Sequence, residues 1–141
     1  MKKIAIVYWS GTGNTEAMAS AVQAGVTEAK GAAELFTADA FTADQVSAFD
    51  AVAFGCPAMG AETLEEDVFE PMFTACETEL AGKKVFLFGS YGWGDGQWMR
   101  DWEDRCRADG AELVAESVIC LEAPQEDTLA SLRSTGALLA E

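Results

Sequence analysis

Apolar residues in this chain come in short unbroken runs separated by stretches with helical spacing. Ile4–Trp9 is such a run, six residues without a charge. A segment apolar at every position, rather than at every second one, predicts a parallel strand covered on both faces. Thr15–Ala29 places Met18, Val22 and Val26 at i, i+4 and i+8 and predicts an amphipathic helix. Ala33–Thr37 predicts a short second strand. A helical turn at Ala43–Ala48 leads into Ala51–Cys56, a strand ended by Pro57. Glu65–Glu79 predicts a helix whose acidic first turn suits the positive end of its dipole. Val85–Gly89 is a fourth apolar strand. Asp95–Ala108 predicts a helix with Asp95 as its cap, Arg105 and Arg107 in its last turn and Gly110 beyond its end. Leu113–Leu121 and Pro124–Leu139 predict the fifth strand and the last helix.

Strand and helix therefore alternate five times. That order specifies an α/β fold: a doubly wound parallel sheet, right-handed crossovers and helices on both faces. No linker, repeat or low-complexity segment interrupts it, and 141 residues make one domain, 1–141. The loops at 10–15, 57–64 and 89–94 all follow the carboxyl ends of strands. Ligands of open α/β sheets bind in the crevice at those ends.

Charge narrows the partners. The chain carries 24 acidic and 9 basic side chains, a net charge of −15. Nucleic acid and anionic membrane surfaces are excluded as partners, since both require a basic face. A basic protein partner is favoured by electrostatic steering. There is no histidine, and the four cysteines at 56, 76, 106 and 120 form no CxxC, so zinc-finger and c-type haem sites are excluded. Their apolar surroundings predict buried free thiols and a reducing, cytoplasmic location. The amino terminus has too short an apolar run for a signal peptide, and no segment reaches membrane-spanning length.

Ser10, Gly11, Thr12, Gly13, Asn14 and Thr15 lie between the first strand and the first helix. The opening amides of a helix lack internal partners and carry partial positive charge, so a phosphate placed there collects N–H groups. The hydroxyls of Ser10, Thr12 and Thr15 add donors, and the glycines permit tight curvature. Two common phosphate chemistries are excluded. A nucleotide-hydrolysing loop needs Gly-Lys-Ser/Thr, and a dinucleotide fingerprint needs a third glycine where Glu16 stands. With no cation to neutralise a transferring phosphoryl group, the loop is suited to holding a phosphate rather than reacting with it. Trp93, between Gly92 and Gly94, is an indole in a solvent-facing loop, placed to stack on a ligand. Trp98 and Trp102 share a helical stripe with Cys106 and are core.

Ser-Gly-Thr-Gly-Asn-Thr directly after the first strand resembles the FMN phosphate loop of flavodoxins. Ala58-Met59-Gly60 and Gly89-Ser90-Tyr91-Gly92-Trp93-Gly94-Asp95-Gly96 resemble the two flavin-flanking loops of the short-chain, clostridial-type members. The likeness runs from residue 3 to about 139, and no insertion of the long-chain kind is visible between Glu112 and Leu121. The resemblance implies strand order 2-1-3-4-5 and FMN as cofactor. It places Met59 on one face of the isoalloxazine, Trp93 on the other, and Glu62 at the flavin N3–H. Pro57, Ala58, Gly60, Ala61, Ser90, Tyr91, Gly92 and Gly94 complete the two loops. In the family the peptide after this glycine turns over on one-electron reduction and its carbonyl then accepts from N5–H. A four-residue turn Met59-Gly60-Ala61-Glu62 would need positive φ at Ala61 in one form and at Gly60 in the other. Ala61 is therefore expected to tilt the loop toward the semiquinone form.

In function, the resemblance implies a low-potential one-electron carrier cycling between semiquinone and hydroquinone, with no catalytic residue and no metal. The second electron would be opposed by Glu62, Glu65, Glu66, Asp67 and Asp95. Transient basic redox partners are implied as well, among them ferredoxin-type oxidoreductases, hydrogenase or nitrogenase, met by a monomer. The alternatives are an FMN-dependent quinone reductase of the same fold, an activator of another enzyme such as ribonucleotide reductase, and a flavin-free receiver. The receiver lacks its Asp, since the third strand ends Gly55-Cys56-Pro57.

Overall fold

A computed structural model describes all 141 residues. Strands β1 (Lys3–Tyr8), β2 (Ala32–Thr37), β3 (Ala51–Gly55) and β4 (Lys84–Tyr91) form one parallel sheet with β5 (Glu112–Leu113) and β6 (Val118–Leu121). The order is β2-β1-β3-β4, with β5 and β6 both beside β4, so the sheet follows 2-1-3-4-5. Helices α1 (Asn14–Glu28) and α4 (Glu126–Leu139) cover one face. Helices α2 (Phe69–Cys76) and α3 (Gln97–Ala108) cover the other.

The unbroken apolar runs are explained by these two covers. Ala5, Val7, Val52, Phe54, Val85 and Leu87 point to the α2/α3 side. Their neighbours Ile4, Ile6, Ala51, Ala53, Phe86 and Phe88 point to the α1/α4 side. Each strand alternates, but both of its faces are buried. Trp98 and Trp102 are each 2% exposed, and all four cysteines are buried free thiols. The helices α1 and α4 cross closely because Gly25 faces the Arg133 backbone and Gly136 the Val22 backbone; a Cβ on Gly136 would lie 2.2 Å from the Val22 carbonyl oxygen.

Three boundaries differ from expectation, each for a local reason. The helix foreseen at Glu65–Glu79 begins only at Phe69 and ends in a 3₁₀ turn at Glu77–Glu79. Glu65 caps it: Oε1 accepts the amides of Val68 and Phe69 at 2.8 Å and Oε2 that of Asp67 at 2.9 Å. Asp95 is not the cap of α3; Gly96 takes that position with φ 89° while Asp95 pairs with Arg100 at 3.1 Å. The fifth strand is split. Glu112 and Val118 oppose Lys84 and Phe88, so six residues of chain advance against four, and two are extruded. An even number restores the alternation of faces, which leaves Cys120 on the α1 side beside Met18.

Candidate functional site

The carboxyl ends of β1, β3 and β4 are stitched together by backbone hydrogen bonds. The Trp9 amide donates to the Gly55 carbonyl at 3.0 Å, and Cys56 and Ala58 donate to Phe88 and Ser90 at 3.1 and 3.0 Å. Above this seam lies a cleft of about 300 Å³. Gly11, Thr12, Asn14, Pro57, Ala58, Met59, Ser90, Tyr91 and Gly92 line it, so all three predicted loops reach one site. Ser10 and Gly13 border the adjoining hollow with Glu16 and Asp39.

The loop after β1 is built to face an anion. Gly13 caps α1 at φ 97°, a conformation glycine adopts without a Cβ penalty. Ser10 Oγ accepts the amides of Gly13 and Glu16 at 3.1 and 3.3 Å, which curls the loop. The amides of Gly11, Thr12, Asn14 and Thr15 donate to no protein group. Together with the positive end of the α1 dipole they form a neutral donor cage. Thr15 is buried beneath it, its hydroxyl 3.4 Å from that of Ser90. The Tyr8 hydroxyl donates to Glu16 at 3.3 Å. Burial first, then the charge of Glu16, raises the Tyr8 pKa, so the group stays protonated.

The ring-side loops differ in part from expectation. Met59 and Thr63 exchange both backbone hydrogen bonds, at 2.8 and 3.0 Å. Gly60, Ala61 and Glu62 are thus a three-residue hairpin connection, not the middle of a four-residue turn. Positive φ falls on Gly60 (42°) and Glu62 (58°), not on Ala61. Positive φ at Gly60 rather than Ala61 is the arrangement that spares Ala61; the left-handed Glu62 was not foreseen and follows from the Met59–Thr63 pair, which places such a residue third in the loop. Trp93 is 63% exposed, as expected of a ring-stacking indole and not of a core one.

Glu62 does not enter the main cleft. Its carboxylate folds beneath the 92–96 loop, where a Cβ on Gly94 would lie 2.7 Å from Oε1. That oxygen is buried without a hydrogen-bond partner. Glu65, counted among the ring's acidic neighbours from sequence, is instead 7% exposed and committed to capping α2. Two further cleft residues were not foreseen from the sequence, Trp9 and Glu122. Both directly follow strand carboxyl ends, and that position alone could have flagged them. Glu122 has φ 59°, and its amide donates to the Tyr91 carbonyl at 2.7 Å.

Charge is segregated along the strand direction. All five lysines, Lys2, Lys3, Lys30, Lys83 and Lys84, lie at the amino ends of β1, β2 and β4. Glu16, Asp39, Glu62, Glu66, Asp67, Asp95 and Glu122 gather at the carboxyl ends, around the cleft.

Fold and site together define an α/β protein with a loop of free amides and a cleft at the carboxyl edge of its sheet, and an exposed indole in the loop after β4. Comparison with known proteins makes the class specific. The flavodoxin family model matches residues 6–136. A flavodoxin of Clostridium beijerinckii is 46% identical over 121 residues, 86% of this chain and 88% of that one. One of Megasphaera elsdenii is 47% identical over 116 residues, covering 82% and 85%. The solution structure of two-electron reduced Megasphaera elsdenii flavodoxin superposes with TM-score 0.88 at 44% identity, covering 96% of this chain and 98% of that one. The chain belongs to the flavodoxin family. By that membership it is an FMN-binding electron-transfer protein, not an enzyme. The residues present fit the cofactor: four free amides suit a phosphate, and the exposed Trp93 indole suits the face of a flat ring. No helix is long and apolar enough to cross a membrane.

Proposed function

We propose that the chain is a low-potential, one-electron FMN shuttle, with the cofactor's phosphate in the Ser10–Thr15 loop and its ring between the 57–62 and 90–94 loops. FMN, when bound, accepts and releases electrons one at a time. The chain's own residues bind it, orient it and set the field around it. The amides of Gly11, Thr12, Asn14 and Thr15 with the hydroxyls of Ser10 and Thr12 grip the phosphate without a compensating cation. Met59 and Trp93 cover the ring's two faces, Glu62 accepts from its N3–H, and the Gly60 carbonyl serves its N5 edge.

The observation that carries this reading is the set of free amides opening onto the same cleft as Met59, Tyr91 and Gly92. The acidic rim supports a low potential. Added negative charge on the ring meets several carboxylates and an uncancelled phosphate, at roughly 0.4 kcal/mol per charge at about 10 Å even in water. The segregation of charge supports transient docking of a basic redox protein, cleft edge first, to a cytoplasmic monomer. Ferredoxin-type oxidoreductases, hydrogenase and nitrogenase have the required redox chemistry. Redox titration of the FMN-loaded protein tests the reading. Two resolved one-electron steps, the second well below that of free FMN, are expected. A single two-electron step would overturn it.

A further inference from the structure

Three buried polar side-chain atoms in the protein lack a hydrogen-bond partner: Glu62 Oε1, Trp102 Nε1 and Asp109 Oδ2. The residues bearing the first two line one cavity of about 160 Å³ between the 59–63 hairpin and α3. One atom can only donate and the other, as a carboxylate, can only accept. They make no direct bond, but the cavity exceeds the roughly 30 Å³ that a water occupies and offers the polar walls a water needs.

We propose that Trp102 is a positioning residue for Glu62, its indole N–H reaching the buried Glu62 oxygen through a water held in this cavity. The inference rests on the reading that Glu62 faces the cofactor ring. The donor is rigidly held. Trp102 is 2% exposed and is held edge-on by Phe69 and Phe73, with centroids 5.5 and 5.7 Å away. The competing cation on the cavity wall is engaged elsewhere. Arg105 Nε donates to Glu77 at 2.8 Å and Nη1 to Glu70 at 2.9 Å, and its guanidinium packs 4.9 Å from the Phe73 ring. Asp101, also on the wall, accepts from Gln97 at 2.8 Å. Glu62 itself sits in a left-handed backbone conformation beneath Gly94, so its carboxylate has little freedom of its own. A group that must meet a ring N–H in one geometry gains from a second anchor on its other oxygen.

Two measurements on the full chain test this. The first follows the Trp102 indole N–H resonance of the purified protein between about pH 3 and 6, where carboxylates titrate. Glu70 and Asp101 border the same cavity, so Glu62→Gln assigns the response. The Trp102 signal should shift with pH in the parent and lose that shift in Glu62→Gln. A signal indifferent to the substitution sinks the proposal, whether or not FMN binds. The second is a double-mutant cycle on FMN affinity. Trp102→Phe keeps the aromatic packing and removes the donor. It should weaken FMN about fivefold in the parent, the scale of one hydrogen bond, and less than twofold in Glu62→Gln. Equal losses in both backgrounds would mean that Trp102 acts only through the core. Failure of the parent to bind FMN would defeat the functional reading instead, leaving the resonance experiment to decide the Trp102–Glu62 link.

Discussion

The Thr15 hydroxyl lies 3.4 Å from the Ser90 hydroxyl, joining the anion loop to the end of β4 across a separation of 75 residues. Both side chains are nearly inaccessible, at 1% and 5%. Ser90→Ala leaves Thr15 without this partner. The expected cost is about 1 kcal/mol, read as a fall of roughly 3–5 °C in Tm for a domain of this size. FMN affinity should fall with it, because the loop beneath the phosphate loosens.

The anion loop's free amides contribute only when a phosphate is present. FMN should therefore bind at least about 100-fold more tightly than riboflavin, as several charge-assisted bonds are lost together. Fluorescence titration with the two flavins measures this. Gly13→Ala, at φ 97°, should cost about 1–2 kcal/mol of stability as well as weakening FMN.

Glu65 gives a pH dependence of known sign. Burial alone would raise its pKa, but the amides of Phe69, Val68 and Asp67 overcome this and hold it below the usual carboxylate range. A lowered folded-state pKa contributes stability above the unfolded value and loses it as pH falls through the folded one. Glu65→Gln should therefore lower the unfolding free energy from urea titration at pH 7 by about 1–2 kcal/mol, and flatten the acid limb of the stability profile. An unchanged acid limb would refute the capping role.

Asp109 works in the opposite sense. Burial first, then its contact with Glu77, raises its pKa to about 6 from an ordinary 3.8. The raised folded-state value favours the protonated form. Its contribution is complete below about pH 3.8 and is lost as pH rises through about 6. Asp109→Asn, which can donate to Glu77 without a titrating proton, should stabilise the protein at pH 7.5 and change little at pH 4. Urea unfolding at the two pH values decides it.

The hairpin at 60–62 places its strain on a glutamate. Glu62→Gly should stabilise the flavin-free protein by about 1 kcal/mol while removing the carboxylate proposed for the ring. Ala61→Gly relieves no left-handed residue and should bring no such gain. Greater stabilisation from Ala61→Gly than from Glu62→Gly would overturn this placement of the strain.

Much of the fold was legible because its signals are local. Ile4–Val7 and Val85–Phe88 are buried on both faces, so their composition alone marks parallel strands. The Ser10–Thr15 loop was legible for a similar reason, since its chemistry is carried by contiguous small donors and by the start of a helix. The errors fell where a side chain had several neighbouring partners to choose from and only the folded geometry decided among them. Glu65 has the sequence signature of a first-turn acid, yet its side chain reaches forward to cap a helix starting four residues later. Asp95 yields the cap of α3 to Gly96 because Arg100 engages it.

From its residues alone, the chain determined the alternation of strand and helix, the neutral anion loop and the indole exposed between two glycines, since each depends on neighbours in sequence. Only the tertiary structure decided that the Met59–Thr63 pair puts a left-handed residue at Glu62. It alone placed Glu62 and Trp102 on one cavity and brought Glu122 to the cleft. The last two outcomes depend on contacts between segments far apart in the chain, and the first on which of several turns closes a short hairpin; a local pattern carries no information about either, because both are settled only when the loops pack on the closed sheet.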